Sequence, residues 1–374
     1  LTTVRIGILV LMAGREAGGP ETYEVELIRA LAEIDRKNEY VIYCTGGEAP
    51  AAIGVQQDNV RYRVLRPGSR AISVAVTLPA MLVRDGIDFL HSTFTPPPFR
   101  IRPEVLTMHC LSSFVHPEFY SPLIAWRLNS LLRIGMRRAE RVLCVSQSTA
   151  DDVHERFRIG RERLAVAHNG VSARFHPVPA AAAREQIREA LNIEGPYALF
   201  VGKLEPRKNV MRLLEAFSRF RRDTGSETKL LLAGNRTAVT PKIDALIDRL
   251  GLRDSVLRPG YVSSDLLAPL YSGARMFLLP SLWEGFGIPI VEAMACGTPV
   301  LTSNVTCLPE IAGDAAVIVD PESPDSIAEG IARLDGSEDL RRRLGASGLQ
   351  RARLFTWDNS ARRTLAVYEE MTRH

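Results

Sequence analysis

Short apolar, β-branched runs bounded by glycine, proline or polar residues recur along the first half of the chain: Val4 to Leu11, Tyr40 to Cys44, Val60 to Leu65, Ile87 to Ser92, Val105 to His109, Arg141 to Ser146 and Leu164 to His168. Such runs predict strands. Between many of them the apolar period lengthens to that of a helix, as in Glu21 to Ile34, where Val25, Leu27, Ile28, Leu31 and Ile34 mark one face. Strands alternating with helices predict a parallel sheet covered by helices. The rhythm breaks at Phe175-His176-Pro177-Val178-Pro179, where two close prolines continue neither a strand nor a helix interior. Strands resume at Tyr197 to Val201, Lys229 to Ala233, Ser255 to Leu257, Ala274 to Leu279, Pro299 to Thr302 and Ala316 to Val319. They stop after Asp320, and the segment from Phe355 onward predicts an amphipathic helix carrying Trp357, Leu365, Val367 and Tyr368. The pattern predicts an α/β protein of two Rossmann-like, doubly wound domains. Residues 1–175, rejoined by a C-terminal helix at 356–374, form the first and residues 176–355 the second. Two such sheets facing one another leave a cleft at the carboxyl ends of their strands, where sheets of this kind bind ligands.

Composition changes this picture little. At 374 residues the chain exceeds what one core usually serves. A net charge of +4 over that length does not make nucleic acid the expected main partner. Five cysteines without a C-x-x-C pair, most in apolar runs, fit a reducing compartment. The first residues enter an apolar strand by Val4 with no basic leader, and no run is long enough to span a bilayer. A cytoplasmic protein is expected.

Candidate chemistry gathers where predicted strands end. Between the strand ending at Pro280 and the helix Pro289 to Cys296 runs Ser281-Leu282-Trp283-Glu284-Gly285-Phe286-Gly287-Ile288, a loop whose glycines and free N–H groups suit a phosphate. Glu292 is the only charged residue between Gly285 and Pro309 and stands among apolar neighbours. A buried carboxylate there needs partners its own segment does not supply: the vicinal hydroxyls of a ribose, or an arginine from another helix. Glu284, eight positions earlier, reads alone as an ordinary loop acid. After Tyr197 to Gly202 come Lys203, Arg207 and Lys208, cations placed to stabilise a leaving diphosphate, or else a solvated basic turn. In the first half, Gly18 and Gly19 precede a helix and let a backbone approach a ligand, and His109 ends a strand at the same kind of position.

Together, Gly18-Gly19, His109, Val201 to Lys208 and above all the run Pro280-Ser281-Leu282-Trp283-Glu284-Gly285-Phe286-Gly287-Ile288-Pro289-Ile290-Val291-Glu292 through Pro299-Val300 resemble the retaining glycosyltransferases of family four, which have the GT-B fold. The resemblance runs nearly the whole chain. It implies a hexosyltransferase whose second domain binds a nucleotide-diphosphate sugar, GDP-mannose or a UDP-hexose. Glu292 would bind the ribose, Lys203, Arg207 and Lys208 the diphosphate, and Glu284 with Gly285, Phe286 and Gly287 the donor sugar and its loop. Val262, in Gly260-Tyr261-Val262-Ser263, would lie at the base, Gly18 and Gly19 near the phosphates, and His109 near the reacting centre. Catalysis would rest on His109, Glu284, Arg207 and Lys208, without metal or other cofactor; no Asp-x-Asp motif is present. Cys110 stands where the family often has an acid after the histidine.

The expected acceptor is a glycan or a lipid-linked one, as in surface polysaccharide assembly. Residues 121–138 set Leu123, Ile124, Trp126, Leu131, Leu132, Ile134 and Met136 among Arg127, Arg133, Arg137 and Arg138. A basic amphipathic helix of this kind lies on an anionic membrane, here the inner face, or covers a sheet with a solvated arginine face. Two rival functions remain open at this level: a non-catalytic subunit that only presents donor, and a nicotinamide-dependent dehydrogenase, which lacks its glycine fingerprint here.

Overall fold

The computed structural model describes residues 3–67 and 69–372. The extreme residues of the expected ranges 1–175 and 356–374, namely 1–2 and 373–374, lie outside it. The chain divides into two compact units, Leu1–Gly170 with Trp357–His374, and Val171–Thr356.

The first unit holds β1 (Arg5–Val10), β2 (Glu39–Cys44), β3 (Val60–Val64), β4 (Phe89–Ser92), β5 (Glu104–Met108), β6 (Arg141–Cys144) and β7 (Leu164–Val166), hydrogen-bonded in the order β3-β2-β1-β4-β5-β6-β7. All pairings are parallel. The central strands are buried along most of their length, as a sheet covered on both faces requires. The second unit holds β8 (Tyr197–Val201), β9 (Lys229–Ala233), β10 (Val256–Gly260), β11 (Met276–Leu279), β12 (Val300–Ser303) and β13 (Ala316–Val319), in the order β10-β9-β8-β11-β12-β13, again parallel throughout. Every strand expected from the sequence is present, with ends displaced by at most three residues. In each sheet the order reverses direction beside the first strand, between β1 and β4 and between β8 and β11. Ligands of doubly wound sheets bind at such switch points.

The boundary expected at 175/176 falls instead after Gly170. Val171 donates its N–H to the Phe355 carbonyl (3.0 Å) and bridges Thr356. Phe175 is buried with its ring edge against Tyr271, 5.9 Å between centroids. Residues 171–175 are therefore fastened to the second unit before the prolines are reached. The same bridge holds Thr356 there, so the final helix, Trp357–Met371, begins the return. That helix packs on the helix Gly19–Ile34 and buries Tyr368, whose hydroxyl meets His91 Nδ1 at 2.6 Å. His91 Nε2 meets the Thr107 hydroxyl (2.7 Å), which meets the Tyr23 hydroxyl (2.8 Å). Burial pushes the imidazole down to about 3, helped by the neighbouring His109, so the relay is uncharged. All five cysteines are free thiols.

Tyr368→Phe leaves one buried nitrogen of His91 without a partner, which costs about 1–3 kcal/mol. A lowered midpoint of urea unfolding against wild type, with unchanged far-UV circular dichroism, is the expected result.

Candidate functional site

The loops that follow β8 and β11 meet because those strands are hydrogen-bonded neighbours at the switch point of the second sheet. The basic loop ends in a single tight turn, Pro206–Lys208, and then Asn209, whose φ of 63° is left-handed. The Asn209 side chain does not cap the helix Val210–Thr224 that follows. Its amide donates to the carbonyls of Pro280 (3.0 Å) and Pro321 (2.6 Å), pinning the basic loop to the acid loop. Leu282 N–H donates to the Arg207 carbonyl at 2.8 Å. Glu284 is thereby delivered to both cations: Oε2 accepts from Arg207 Nη1 (2.8 Å), and Oε1 accepts from Lys208 Nζ and from Ser281 Oγ (3.0 Å). Glu284 is no ordinary loop acid, being only 7% exposed, and Lys208 is 6% exposed. Burial raises the Glu284 carboxyl, but Lys208, Arg207 and the hydrogen bonds outweigh it and hold the group at about 2. Burial lowers the Lys208 ammonium, and Glu284 opposes that. The loop amides expected to be free are in part engaged, since Glu284 N–H donates to Thr306 Oγ1 (3.4 Å) as Leu282 N–H does to Arg207.

Glu292 follows on the helix Ile288–Ala295, which starts at Gly287 with φ +86° and carries Pro289 in its first turn. Its protein partner is a tyrosine, not an arginine: the Tyr271 hydroxyl donates to Oε2 at 2.8 Å. Among the described residues Oε1 has no hydrogen-bond partner. Burial lifts this carboxyl to about 7, against the pull of the Tyr271 hydrogen bond and the charges of Arg174 and Lys208. Of the other expected residues, Lys203 is half-buried, and Gly285, Phe286 and Gly287 are buried, with the Phe286 ring edge-on to Phe355 at 5.5 Å. Val262 is buried between β10 and the helix Ser264–Gly273.

In the first unit, Gly18 (φ 76°) caps the helix Gly19–Ile34 and both glycines are exposed. The loop before them is built on two carboxylates of that helix. Glu24, buried, accepts from the N–H groups of Leu11 (2.9 Å), Met12 (2.7 Å) and Ala13 (2.8 Å), and Glu21 from those of Gly14 (2.8 Å) and Ala17 (2.6 Å). The Thr93 hydroxyl lies 2.7 Å from both Glu24 Oε1 and the Leu9 carbonyl. The carbonyl of Thr93 accepts from His109 Nε2–H at 2.7 Å. A carbonyl only accepts, so His109 holds its proton on Nε2 and leaves Nδ1 as an acceptor. Burial lowers its pKa to about 4 despite the Thr93 bond, which keeps the ring neutral. Tyr23 packs edge-on against it at 4.7 Å. Cys110 turns to the Ser112 hydroxyl (3.1 Å). Among the described residues no group of three or more His, Cys, Asp or Glu is arranged to hold a metal ion.

Two family models cover most of the chain in succession: Glycosyltransferase Family 4 over residues 17–175 and Glycosyl transferases group 1 over residues 183–351. The O-antigen chain mannosyltransferase B of Escherichia coli is 32% identical over 310 residues, spanning 82% of this chain and 79% of that protein. The chain belongs to glycosyltransferase family 4. Its fold is GT-B: sucrose-phosphate synthase from Thermosynechococcus elongatus superposes with a TM-score of 0.81 at 22% identity, covering 99% of each chain. HepE of Anabaena, in complex with UDP and glucose, superposes at 0.77 with 17% identity over 97% of this chain and 99% of its own. A glycosyltransferase of this family is an enzyme, and the reading as a non-catalytic subunit is not favoured.

Sequence reasoning missed three groups in this glycosyltransferase: Glu24, Tyr271 and Asn209. Only Asn209 carried a local signal, as an asparagine between a basic turn and a helix. Glu24 and Tyr271 lie on the amphipathic faces of ordinary helices, and their partners are remote in sequence.

Because folded Glu292 titrates near 7 rather than at its ordinary value of 4.5, the folded chain holds an extra proton between those values. Its contribution to stability therefore falls as pH rises from 4.5 to 7 and is flat above. Glu292→Gln keeps an oxygen for Tyr271 and removes this loss. The variant should gain up to about 3 kcal/mol on wild type between pH 5 and pH 8. Unfolding midpoints of both proteins at the two pH values test it, and a pH-independent difference refutes it.

Proposed function

We propose that this glycosyltransferase moves a hexose from a nucleotide-diphosphate sugar to a glycan carried on a lipid, with retention of anomeric configuration and without a metal ion. The observation that carries this reading is the Arg207–Glu284–Lys208 cluster, its glutamate and lysine buried, at the switch point of the second sheet. Two cations held in place before a donor arrives stabilise the negative charge that develops on a departing diphosphate, and they need no reorganisation when it forms. In this reading Glu292 takes a ribose hydroxyl on Oε1, while Lys203, Arg207 and Lys208 hold the diphosphate. Glu284, with Gly285 to Gly287, shapes the sugar end, and Val262 borders the base. Gly18 and Gly19 approach the phosphates, and neutral His109 accepts a sugar hydroxyl on Nδ1. The leaving diphosphate takes the acceptor's proton, so no protein nucleophile is assigned. Mannose is the favoured sugar on the strength of the E. coli relative's name, and GDP the favoured carrier, although HepE was solved with UDP.

The acceptor reading rests on the helix Pro122–Arg138. Its buried positions are Ala125, Leu132, Gly135 and Met136, whereas Leu123 and Trp126 are 72% and 68% exposed, beside exposed Ile124 and Ile134. Arg127, Arg133 and Arg137 are exposed on the same helix. Large apolar side chains among cations, with no acid on the helix, match the boundary of an anionic bilayer. No helix among the described residues is long and apolar enough to cross one.

Lys208→Ala should lower turnover by about a hundredfold or more while the thermal shift given by donor persists. Near-normal turnover with wild-type donor affinity would sink the electrostatic reading, and a panel of GDP-, UDP- and ADP-sugars in the same assay names the base. Trp126→Glu combined with Leu123→Glu should abolish co-sedimentation with phosphatidylglycerol vesicles at low salt. Undiminished sedimentation removes this helix from the membrane reading.

A further inference from the structure

The register of the first sheet places three segments side by side on one of its faces. Leu9 of β1 is level with Tyr43 of β2 and Ser92 of β4, and Ser92 is level with Leu106 of β5. These side chains therefore leave the sheet on the same side, as do Val41, Leu90 and Met108 two positions away on their strands. The helical segment at residues 70–84 packs on Leu9, Val41, Tyr43 and Leu90 through Val74, Leu78 and Leu82. The helix Pro122–Arg138 packs on Leu106 and Met108 through Leu132 and Met136. Between them runs the loop after β4. Its Phe94 packs on the same apolar cluster as residues 70–84, its Pro96 fills the space a side chain at Gly135 would need, and Arg138 donates to its Pro97 and Pro98 carbonyls. The opposite face is covered by Gly19–Ile34 and Trp357–Met371, whose Tyr23 and Tyr368 meet Thr107 and His91.

The two faces differ in what they show to solvent. On residues 70–84, Ile72, Val76 and Val83 are 52%, 66% and 59% exposed, and exposed Ala80 falls in the same stripe. This is the side opposite Val74, Leu78 and Leu82, where an ordinary surface helix is polar. On the loop, Phe99 and Ile101 are exposed. Outside the edge strand β3, every exposed large apolar side chain among the described residues of the first unit lies on these two segments or on Pro122–Arg138. The same segments lack acids. Residues 66–84, 93–103 and 119–139 hold no aspartate or glutamate, although the chain carries 43 in 374 residues, so composition alone does not account for it. Arg66, Arg84, Arg127, Arg133 and Arg137 are exposed on them and enter no ion pair among the described residues. The helices of the opposite face carry Glu21, Glu26, Glu33, Asp358, Glu369 and Glu370, and no exposed large apolar side chain among the described residues.

We infer that this whole face, residues 70–84 and the Phe99 loop together with Pro122–Arg138, docks flat on the anionic headgroup layer of a bilayer. The inference rests on the bilayer reading of Pro122–Arg138 and extends it from one helix to a face. Charge complementarity selects the occupant. A folded partner is held in register by charges of both signs, which this face does not offer, and a second copy would meet its own arginines. A headgroup layer is negative throughout and needs no register, and it takes apolar side chains to the depth of the acyl boundary. With the face on the bilayer, the strands run along the surface. The carboxyl edge of the first sheet, where β5 hands over to His109, then opens sideways at headgroup level, the direction from which a lipid-linked acceptor arrives.

The test is co-sedimentation of the full chain with phosphatidylglycerol vesicles, using variants that leave Pro122–Arg138 untouched. Ile72→Glu/Val76→Glu should weaken binding about tenfold or more, because it puts two acids into the apolar stripe. Arg66→Gln/Arg84→Gln should weaken it about tenfold at low salt and match wild type at high salt. Both pairs are exposed, so far-UV circular dichroism and the thermal shift given by nucleotide should stay as in wild type. Phosphatidylcholine vesicles should bind wild type more weakly than phosphatidylglycerol. Wild-type sedimentation of both variants overturns the inference and leaves the reading of Pro122–Arg138 standing. Absence of sedimentation in wild type overturns both. Equal binding to phosphatidylcholine overturns the choice of an anionic surface. A wild-type dimer in sedimentation velocity that Ile72→Glu/Val76→Glu turns into a monomer overturns it by giving the face to a second copy. If no nucleotide or nucleotide sugar stabilises wild type, the donor reading has failed, and that result is separate from all of these.

Discussion

Burying a lysine ammonium and a glutamate carboxylate costs several kcal/mol for each ion unless their mutual attraction and added hydrogen bonds return it, and the second unit is arranged around meeting that condition. Lys208, Arg207 and Ser281 all converge on Glu284. Asn209 and the Leu282 amide hold the two loops at the separation this convergence needs. Glu205 also pairs with Arg207, but from an outer position where solvent screens it. Inside the cluster two cations face one carboxylate, which leaves positive charge in excess at the end of β8. Removing Glu284 would leave buried Lys208 and half-buried Arg207 repelling one another, which makes it the builder of the cluster.

The parallel sheets could be read directly because their central strands are buried on both faces and appear as continuous apolar runs. The candidate residues could be placed to the extent that they follow those strands in sequence: Lys203 to Lys208 after β8, Glu284 after β11, His109 after β5. What brings Lys208 to Glu284 is the adjacency of β8 and β11, a fact of strand order that no local pattern carries. The boundary error at Phe175 has the same origin. Two prolines signal a break in regular structure, whereas a domain boundary is set by which core takes the neighbouring aromatic, and Phe175 packs on Tyr271.

Within the first unit Glu24 does for the glycine loop what Glu284 does for the basic loop, with opposite electrostatics. Its burial is relieved by backbone N–H groups rather than by cations, and burial still raises its pKa. Through Thr93 the same side chain reaches the carbonyl that fixes the tautomer of His109. The loop bearing Gly18 and the histidine are thus held by one connected set of hydrogen bonds. The tautomer of the histidine, with Nδ1 left as acceptor, follows from backbone geometry rather than from an acid beside it.

Glu284 and Glu292 stand eight residues apart on one loop and helix, and both are nearly buried, yet their environments drive them in opposite directions. Cations hold the first at about 2, and a single tyrosine leaves the second at about 7. A permanently ionised Glu284 suits a structural anion that orders cations whatever the ligand state. A carboxyl poised near neutrality with one open oxygen is different: its charged form becomes favourable when a ligand supplies hydrogen-bond donors, and a vicinal diol does so without bringing charge. Under the proposed function, ribose binding at Glu292 is coupled to loss of a proton, while Glu284 stays ionised. Two acids eight residues apart are separated by what the fold places beside them.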